Sequence, residues 1–300
     1  MENFHAIIPS FNPGEMISSC ILSIRENIPD SRITVVDNNS EDGTPEFLEK
    51  NFPEVEIIRN STNLGFGSAC NMGSRGSDCE YLIFINQDAQ INRFPIEEVI
   101  QVFSENEYSI IGGKVLSDES LPSPSVGARV TPISTLMHWA TMPLRLIGLR
   151  WFDMLEIPDS EEFSQVLWIP GSLMVFRTSD FASLGGFDES FFMYVEDVEI
   201  CYRAESRGMR TGYLPSIISF HSSRGGEGMS RIAVHHTLNN QKTFLSRRHG
   251  QLFSISAITI SSLFCIVYGL LGSMLLFPFG RFRRSSVNLL LGGFDFIGNS

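Results

Sequence analysis

An α/β fold, a mostly parallel sheet flanked by helices, is what the sequence predicts, and three observations predict it. β-rich runs alternate with helix-like segments in a βαβα order through the first third of the chain. The runs are apolar throughout rather than alternating, as strands covered on both faces are. Polar residues follow directly after the runs, where open parallel sheets collect their ligands.

The elements follow in order. Phe4–Pro9 reads as a first strand and Gly14–Asn27 as a helix. Ile33–Asp37 is a second strand, followed by the turn-rich NNSEDGTP and a helix-like Glu46–Asn51. Val55–Arg59 and Tyr81–Ile85 supply the third and fourth strands, the latter after a Gly-rich segment and a helix. From about Ser117 to Gln165 the pattern is irregular, with several prolines and the acidic patch Glu156–Glu162, and reads as a cover over one sheet edge. Val166–Phe176 and Gly212–His221 read as later strands.

The net charge of −12 conceals a polarity. Residues 1–223 hold 14 Lys/Arg against 32 Asp/Glu, whereas residues 224–300 hold 8 against 2. The acidic body argues against nucleic acid as a partner. The basic tail suits anionic lipid head groups. Five scattered cysteines without CxxC spacing fit a reducing cytosol, and the N-terminus shows no signal-peptide pattern.

Leu252–Phe279 contains no charged residue, and its 28 residues exceed the length a bilayer core of about 30 Å requires of a helix. Membrane association follows as an expectation. Arg247 and Arg248 before the run compete with Arg281, Arg283 and Arg284 after it for the cytosolic side, so a crossing and an in-plane arrangement both stand. The expected organisation is a catalytic domain over 1–223, a basic helical connector over 224–251 and a membrane-associated segment over 252–300.

The strand ends bring together Pro9, Ser10 and Asn12, then Asp37, Asn38, Asn39 and Ser40, then Asn86, Gln87 and Asp88. The later runs Phe191–Val195 and Gly212–Phe220 deliver Glu196, Asp197 and His221. Several carboxylates, one imidazole and few cations suit a divalent metal, Mn²⁺ or Mg²⁺, bridging to an anionic diphosphate.

Seven blocks in this order carry a family resemblance. They are IIPSFN (Ile7–Asn12), VVDNNSEDGT (Val35–Thr44), NLGFGSACNMG (Asn63–Gly73) and FINQDAQI (Phe84–Ile91). GGFDESFFMYVEDVEICYRAESRG (Gly185–Gly208), HSSRGG (His221–Gly226) and NNQKTFLSRRHG (Asn239–Gly250) complete the set. Together the blocks resemble the inverting family 2 glycosyltransferases of the Rossmann-like GT-A fold, in particular bacterial rhamnosyltransferases of surface-polysaccharide assembly. The resemblance implies that Asp37 holds the donor's pyrimidine, with Pro9 and Ser10 as the nucleotide wall. Asn12, Asn39, Asn63, Gly65, Asn71, Asn86, Gln87 and Asp88 join the donor site. Asp88 resembles the last residue of the D-x-D metal motif, whose first position is Asn86 here, and His221 the histidine that completes the metal site. Asp197 resembles the general base, with Glu196 orienting the acceptor or raising its neighbour's pKa. Trp168 and Gly171 are expected along the acceptor groove.

The implied reaction is transfer of a sugar, L-rhamnose from dTDP-L-rhamnose, onto a polyprenyl-diphosphate-linked oligosaccharide at the cytoplasmic face of a bacterial plasma membrane, in O-antigen or capsule synthesis. UDP-GlcNAc and UDP-galactose are the alternative donors, an inactive membrane-anchored scaffold is the alternative class, and a homo-oligomer is an allowed assembly. A nucleotidyltransferase would carry a Gly-rich basic loop where IPSFNPGE stands. Each site residue also has a structural rival. Asp37 and Ser40 fit an Asx turn, Asn63–Gly73 a turn and helix start, and Glu196–Asp197 complements of a helix dipole. Asp88 fits a turn, His221 a satisfied structural histidine, Trp168 and Gly171 a core strand with a turn, and Glu199–Arg203 a surface pair.

Overall fold

A computed structural model describes residues 3–105, 108–117, 120–141, 154–158, 161–221, 230–275 and 280–298. The first half runs β1 (Phe4–Ser10), α1 (Ile17–Asn27) after a single 3-10 turn at Gly14–Met16, β2 (Arg32–Asp37), α2 (Thr44–Asn51) and β3 (Glu56–Arg59). It continues with α3 (Phe66–Ser74), β4 (Tyr81–Ile85), β5 (Ala89–Arg93), α4 (Ile96–Glu105), β6 (Tyr108–Leu116), and the two-residue strands β7 (Pro122–Ser123) and β8 (Val126–Gly127). Then come α5 (Pro132–Thr141), β9 (Leu155–Glu156), β10 (Ser164–Val166), β11 (Leu173–Arg177), α6 (Thr178–Leu184), α7 (Glu196–Ser206) and β12 (Arg210–His221). Three helices follow: α8 (Arg231–His249), α9 (Gln251–Leu275) and α10 (Gly280–Gly298).

The chain forms two compact units. The first comprises Met1–Gly127, Glu156–Phe192 and Glu196–Ser222, and the second Ala128–Leu155, Met193–Val195 and Ser223–Ser300. The first unit is built on one sheet in the order β10-β12-β6-β11-β4-β1-β2-β3, with β5 added to β12 and β7 to β6. β1 pairs in parallel with β2 and β4, β2 with β3, and β6 with β12. The inner strands β1 and β4 are buried at every residue, which is why their sequences are continuous apolar runs, whereas the edge strand β3 is partly open.

One strand reading needs correction. Val166–Phe176 is two strands rather than one. β10 lies on β12, while β11 runs antiparallel between β4 and β6. The break falls around Pro170–Gly171, and a proline cannot donate to a ladder. The run Phe191–Val195, which leads into Glu196, is not extended. Tyr194 (φ 71°) and Val195 (φ 74°) lie in the left-handed region, which ends any extended run, and a β-branched residue there is an outlier. The irregular stretch after Ser117 contains α5, while residues 118–119, 142–153 and 159–160 lie outside the described residues, as do 222–229 of the HSSRGG block.

An aromatic group fixes the segment after α6 to the sheet. Phe84 of β4 meets Phe181 at 4.8 Å and Phe187 at 5.3 Å, and Phe187 meets Phe66 of α3 at 5.7 Å. Such pairs contribute about 0.5–1.5 kcal/mol each beyond their buried area. The start of α3 approaches the same segment through backbone. Phe66 N donates to Phe192 O at 3.1 Å. Gly65 (φ +83°) permits this, since a Cβ there would lie 2.0 Å from Phe192 O.

Gly65→Ala therefore combines backbone strain with a clash against a carbonyl that cannot swing away. Gly76 has a similar φ of +69° but open space around it. Thermal denaturation should show Gly76→Ala losing about 1–2 kcal/mol from the left-handed conformation alone, and Gly65→Ala losing clearly more. Equal losses would refute the close approach.

Candidate active site

The loops after β1, β2 and β4 are stapled to one another by side-chain amides and hydroxyls. Asn12 N donates to Ser40 Oγ at 2.9 Å, and Glu41 N returns a bond to Asn12 Oδ1 at 2.8 Å. Gln87 accepts from Phe11 N at 2.7 Å and donates to Phe11 O at 3.1 Å. Asn12 and Asn39 both adopt positive φ, 49° and 66°, which asparagine tolerates in turns. Asn12 and Gln87 thus hold the rim of the site through bonds within the protein. Asn38 belongs to the same frame, accepting from Asn60 Nδ2 at 2.9 Å and donating to Gly65 O at 3.2 Å.

Inside that rim, Ser10 and Asp37 are register partners on adjacent parallel strands, and their side chains leave the sheet on one side. Asp37 Oδ2 accepts Ser40 N at 3.1 Å, the Asx-type turn that its structural rival required. Its Oδ1 and the Ser10 hydroxyl are buried without a partner. Pro9 is buried within β1 beside them. The remaining members of the expected donor set divide. Asn63 accepts Gly65 N at 2.9 Å, which shapes the turn into α3. Asn71 donates to Phe187 O at 2.9 Å and Glu189 Oε1 at 3.0 Å and accepts Phe187 N at 2.8 Å. Both amide hydrogens of Asn71 are engaged in fastening α3 to the segment after α6.

A second cluster lies where β4 turns into β5. His221 ends β12 opposite Ala89, and its Nε2 lies 3.3 Å from Asp88 Oδ1 and 3.1 Å from the Asn86 amide. Among the described residues no group of three or more His, Cys, Asp and Glu converges as a metal site. The spacing of this sparse set still fits a divalent cation. Two ligands about 2.1 Å from an octahedral ion stand roughly 3 Å apart along one edge, and Mg²⁺-like ions take most other ligands from phosphate and water. Asp88 and His221, with the Asn86 amide turned oxygen-inward, are the residues that would hold it.

The third element is the start of α7, where Glu196, Asp197 and Glu199 crowd the first turn and complement the helix dipole. Asp197 is half-buried, with Oδ2 accepting Gly171 N at 2.9 Å and Oδ1 accepting Val198 N at 2.8 Å. Burial raises its pKa above the usual carboxylate value, and the backbone hydrogen bonds oppose part of that rise. Glu196 departs from its expected role. It is 6% exposed, its Oε2 has no partner, and burial followed by the Asp197 charge holds its pKa well above the ordinary range. Burial thus raises both neighbouring carboxyls, and Glu196 faces the interior rather than an acceptor.

Of the expected acceptor residues, Gly171 serves Asp197 through its amide. Trp168 is 4% exposed and lies against Gly127, so it is core rather than groove wall. Glu199 and Arg203 form the bidentate pair that i,i+4 spacing indicated, with Arg203 Nη1 also donating to Leu184 O at 2.6 Å. Sequence reasoning missed Ser172, whose carbonyl accepts Asn86 N at 3.1 Å.

The raised carboxyl pKa values carry a stability consequence. Between the unfolded and folded pKa values the native chain holds protons that the unfolded chain has released, so stability falls as pH rises through that window. Glu196→Gln removes one such acid. Melting curves should coincide with wild type below the ordinary carboxylate pKa, and the variant should become the more stable protein as pH climbs. Parallel curves would show that Glu196 is not a buried acid.

Residues 5–146 match the family model described as glycosyl transferase family 2, and residues 83–282, two thirds of the chain, match that described as glycosyl transferase family group 2. An N-acetylglucosaminyl-diphospho-decaprenol L-rhamnosyltransferase of Mycobacterium tuberculosis is 28% identical over 259 residues, covering 80% of this chain and 83% of that protein. The rhamnosyltransferase WbbL of Escherichia coli K12 is 26% identical over 175 residues, 58% of each chain. GalNAc-T7, crystallised with UDP, GalNAc and Mn²⁺, superposes with a TM-score of 0.57 at 16% identity, over 80% of this chain and 47% of that one. This chain thus spans about half the length of GalNAc-T7, and the likeness speaks for the fold. A curled, mostly parallel sheet flanked by helices and a family match over most of the sequence agree: the chain belongs to the family 2 glycosyltransferases, enzymes that transfer hexoses on a GT-A-like fold.

Proposed function

We propose that this enzyme transfers L-rhamnose from dTDP-L-rhamnose, with inversion, onto a polyprenyl-diphosphate-linked oligosaccharide of surface-polysaccharide synthesis. It would work at the cytoplasmic face of a bacterial plasma membrane. The observation that carries the chemistry is the Asp197 carboxylate, raised in basicity by burial and held by backbone amides on both oxygens. Rhamnose and the lipid-linked acceptor are supported by the relatives named rhamnosyltransferases. The domain reading keeps 1–223 as catalytic, 224–251 as connector and 252–300 as membrane-associated, with residues 128–155 grouped with the C-terminal helices by their packing.

In this reading the buried, unpartnered Asp37 Oδ1 and Ser10 Oγ receive the donor's base, with Pro9 as wall. Asp197 accepts the proton of the acceptor hydroxyl as that oxygen bonds the anomeric carbon, while the bond from that carbon to the diphosphate oxygen breaks on the opposite face. One displacement suffices, without a covalent enzyme intermediate. Asp88 and His221 would hold a divalent cation, whose positive charge would offset the negative charge on the departing diphosphate.

Four outcomes test the proposal. Asp197→Asn should retain the thermal shift given by dTDP-rhamnose yet lose at least about 10²-fold in transfer, the scale of general-base catalysis. Undiminished turnover would remove Asp197 as the base. In the wild type, transfer should rise with pH to a midpoint above the ordinary aspartate value, because only the unprotonated carboxylate accepts a proton. Asp88→Ala should weaken cation-dependent donor binding, whereas full activity in chelator would overturn the metal site. Stabilisation by UDP-GlcNAc or UDP-galactose instead of dTDP-rhamnose would reassign the donor.

A further inference from the structure

Within the second unit, α9 is a helix with two faces of different kinds. One face is buried, with Ser254, Ala257, Ile258, Ser261, Ser262 and Cys265 all 5% exposed or less. It packs against α5, α8 and α10. The approach is close: a Cβ on Gly293 of α10 would lie 2.9 Å from Ser262 O, and one on Gly269 would lie 2.6 Å from Ser286 O. The opposite face carries Leu252 (86% exposed), Phe253 (55%), Ile260 (43%), Leu263 (48%), Val267 (47%) and Leu271 (48%). At 100° per residue these six fall on one stripe about 100° wide. The helix holds no charged residue from end to end.

The buried face bears on how such a helix meets a bilayer. Its packing partner α8 is a polar helix bearing Arg231, Lys242, Arg247, Arg248 and His249. Arg231 is bound by both oxygens of Asp295 at 2.6 Å, which ties α8 to α10. Carrying α9 through the hydrocarbon would carry α8 with it, and a cation at the bilayer centre is costly unless it is paired or reaches water. Separating α9 from its partners would instead expose its own packed face. An in-plane position avoids both costs. The stripe enters the acyl boundary while the bundle stays in the headgroup region or above it.

Charge names the occupant. Arg247, Arg248 and His249 are exposed and stand directly before α9, next to Leu252 and Phe253 at the open end of the stripe. Residues 224–300 carry 8 Lys/Arg against 2 Asp/Glu. We infer that the outer stripe of α9 is a monotopic membrane-docking face, lying in the plane of an anionic lipid surface with the Arg247–Arg248 end against the headgroups. This deepens the membrane attachment in the function proposed above and rests on it.

The test uses the full chain and vesicles of phosphatidylglycerol and phosphatidylcholine. Wild type should float with the mixed vesicles and be released by alkaline carbonate. Leu263→Glu with Val267→Glu should lose at least tenfold in binding, and the milder Leu252→Ser should lose less in the same direction. Arg247→Ala and Arg248→Ala should each cost about fivefold on anionic vesicles and little on neutral ones. The Leu263→Trp variant should gain emission that is quenched best by lipids brominated near the headgroup. Carbonate-resistant retention with deep quenching would establish a crossing and overturn the proposal. So would unchanged binding of the Glu variants, or a dimer that the Glu variants dissociate without any vesicle binding. The thermal shift with dTDP-rhamnose, measured on the same samples, separates the outcomes: its loss in wild type sinks the function, whereas its persistence with failed vesicle binding sinks only the docking face.

Discussion

Two consecutive residues, Gly171 and Ser172, tie together the parts of the site on which the rest depends. The Gly171 amide holds Asp197 Oδ2 at 2.9 Å, and the Ser172 carbonyl takes the Asn86 amide at 3.1 Å. The first bond sets the carboxylate at the start of α7, and the second sets the turn that presents Asn86 and Asp88 to His221. Both groups are free for this duty because the chain breaks its strand around Pro170 and resumes it at Leu173. A continuous strand would have directed the Gly171 N–H into a ladder. The antiparallel β11 is thus more than an irregularity in a parallel sheet. It brings a short non-ladder segment to the crevice between β4 and β6.

The electrostatics of Asp197 balance two opposed effects. Burial penalises the ionised form, whereas the amides of Gly171 and Val198 favour it. Burial is the larger, so the carboxylate stays a better proton acceptor than one in water while remaining fixed in direction. With both oxygens held by backbone, its free lone pairs point in a set direction, which general-base geometry requires. Glu196, one residue earlier, turns about 100° away around the helix. That rotation alone separates an accessible carboxylate from one 6% exposed.

The same rotation explains which parts were legible in the sequence. Apolar runs such as Ile33–Asp37 and Tyr81–Ile85 announce buried strands because both faces are covered, and their ends mark the crevice. Direction is not written in such a run, so the reversal of β11 was invisible. Phe191–Val195 has a strand's composition, but Tyr194 and Val195 at positive φ cannot extend. Adjacency in sequence suggested that Glu196 and Asp197 work as a pair, and only the helix shows that they face different surroundings. Asn71 and Trp168 look available as isolated residues, yet the first is bonded to Phe187 and Glu189 and the second covers Gly127. For Leu252–Phe279, the absence of charge was compatible with crossing or lying flat. The burial of one face of α9 was not legible in that run.

The unpartnered pair at the ends of β1 and β2 has the clearest functional logic. A buried polar atom left without a hydrogen bond costs about 1–3 kcal/mol, and Ser10 Oγ and Asp37 Oδ1 are neighbours on the same side of the sheet. Stability alone would favour apolar side chains there, as at Ile8 and Val35 in the same strands. The nearby staples through Asn12, Ser40 and Gln87 satisfy their own groups. In the proposed function, a donor base that supplied one hydrogen bond to each atom would offset that cost on binding, and a base lacking the matching groups would leave Asp37 unpaired.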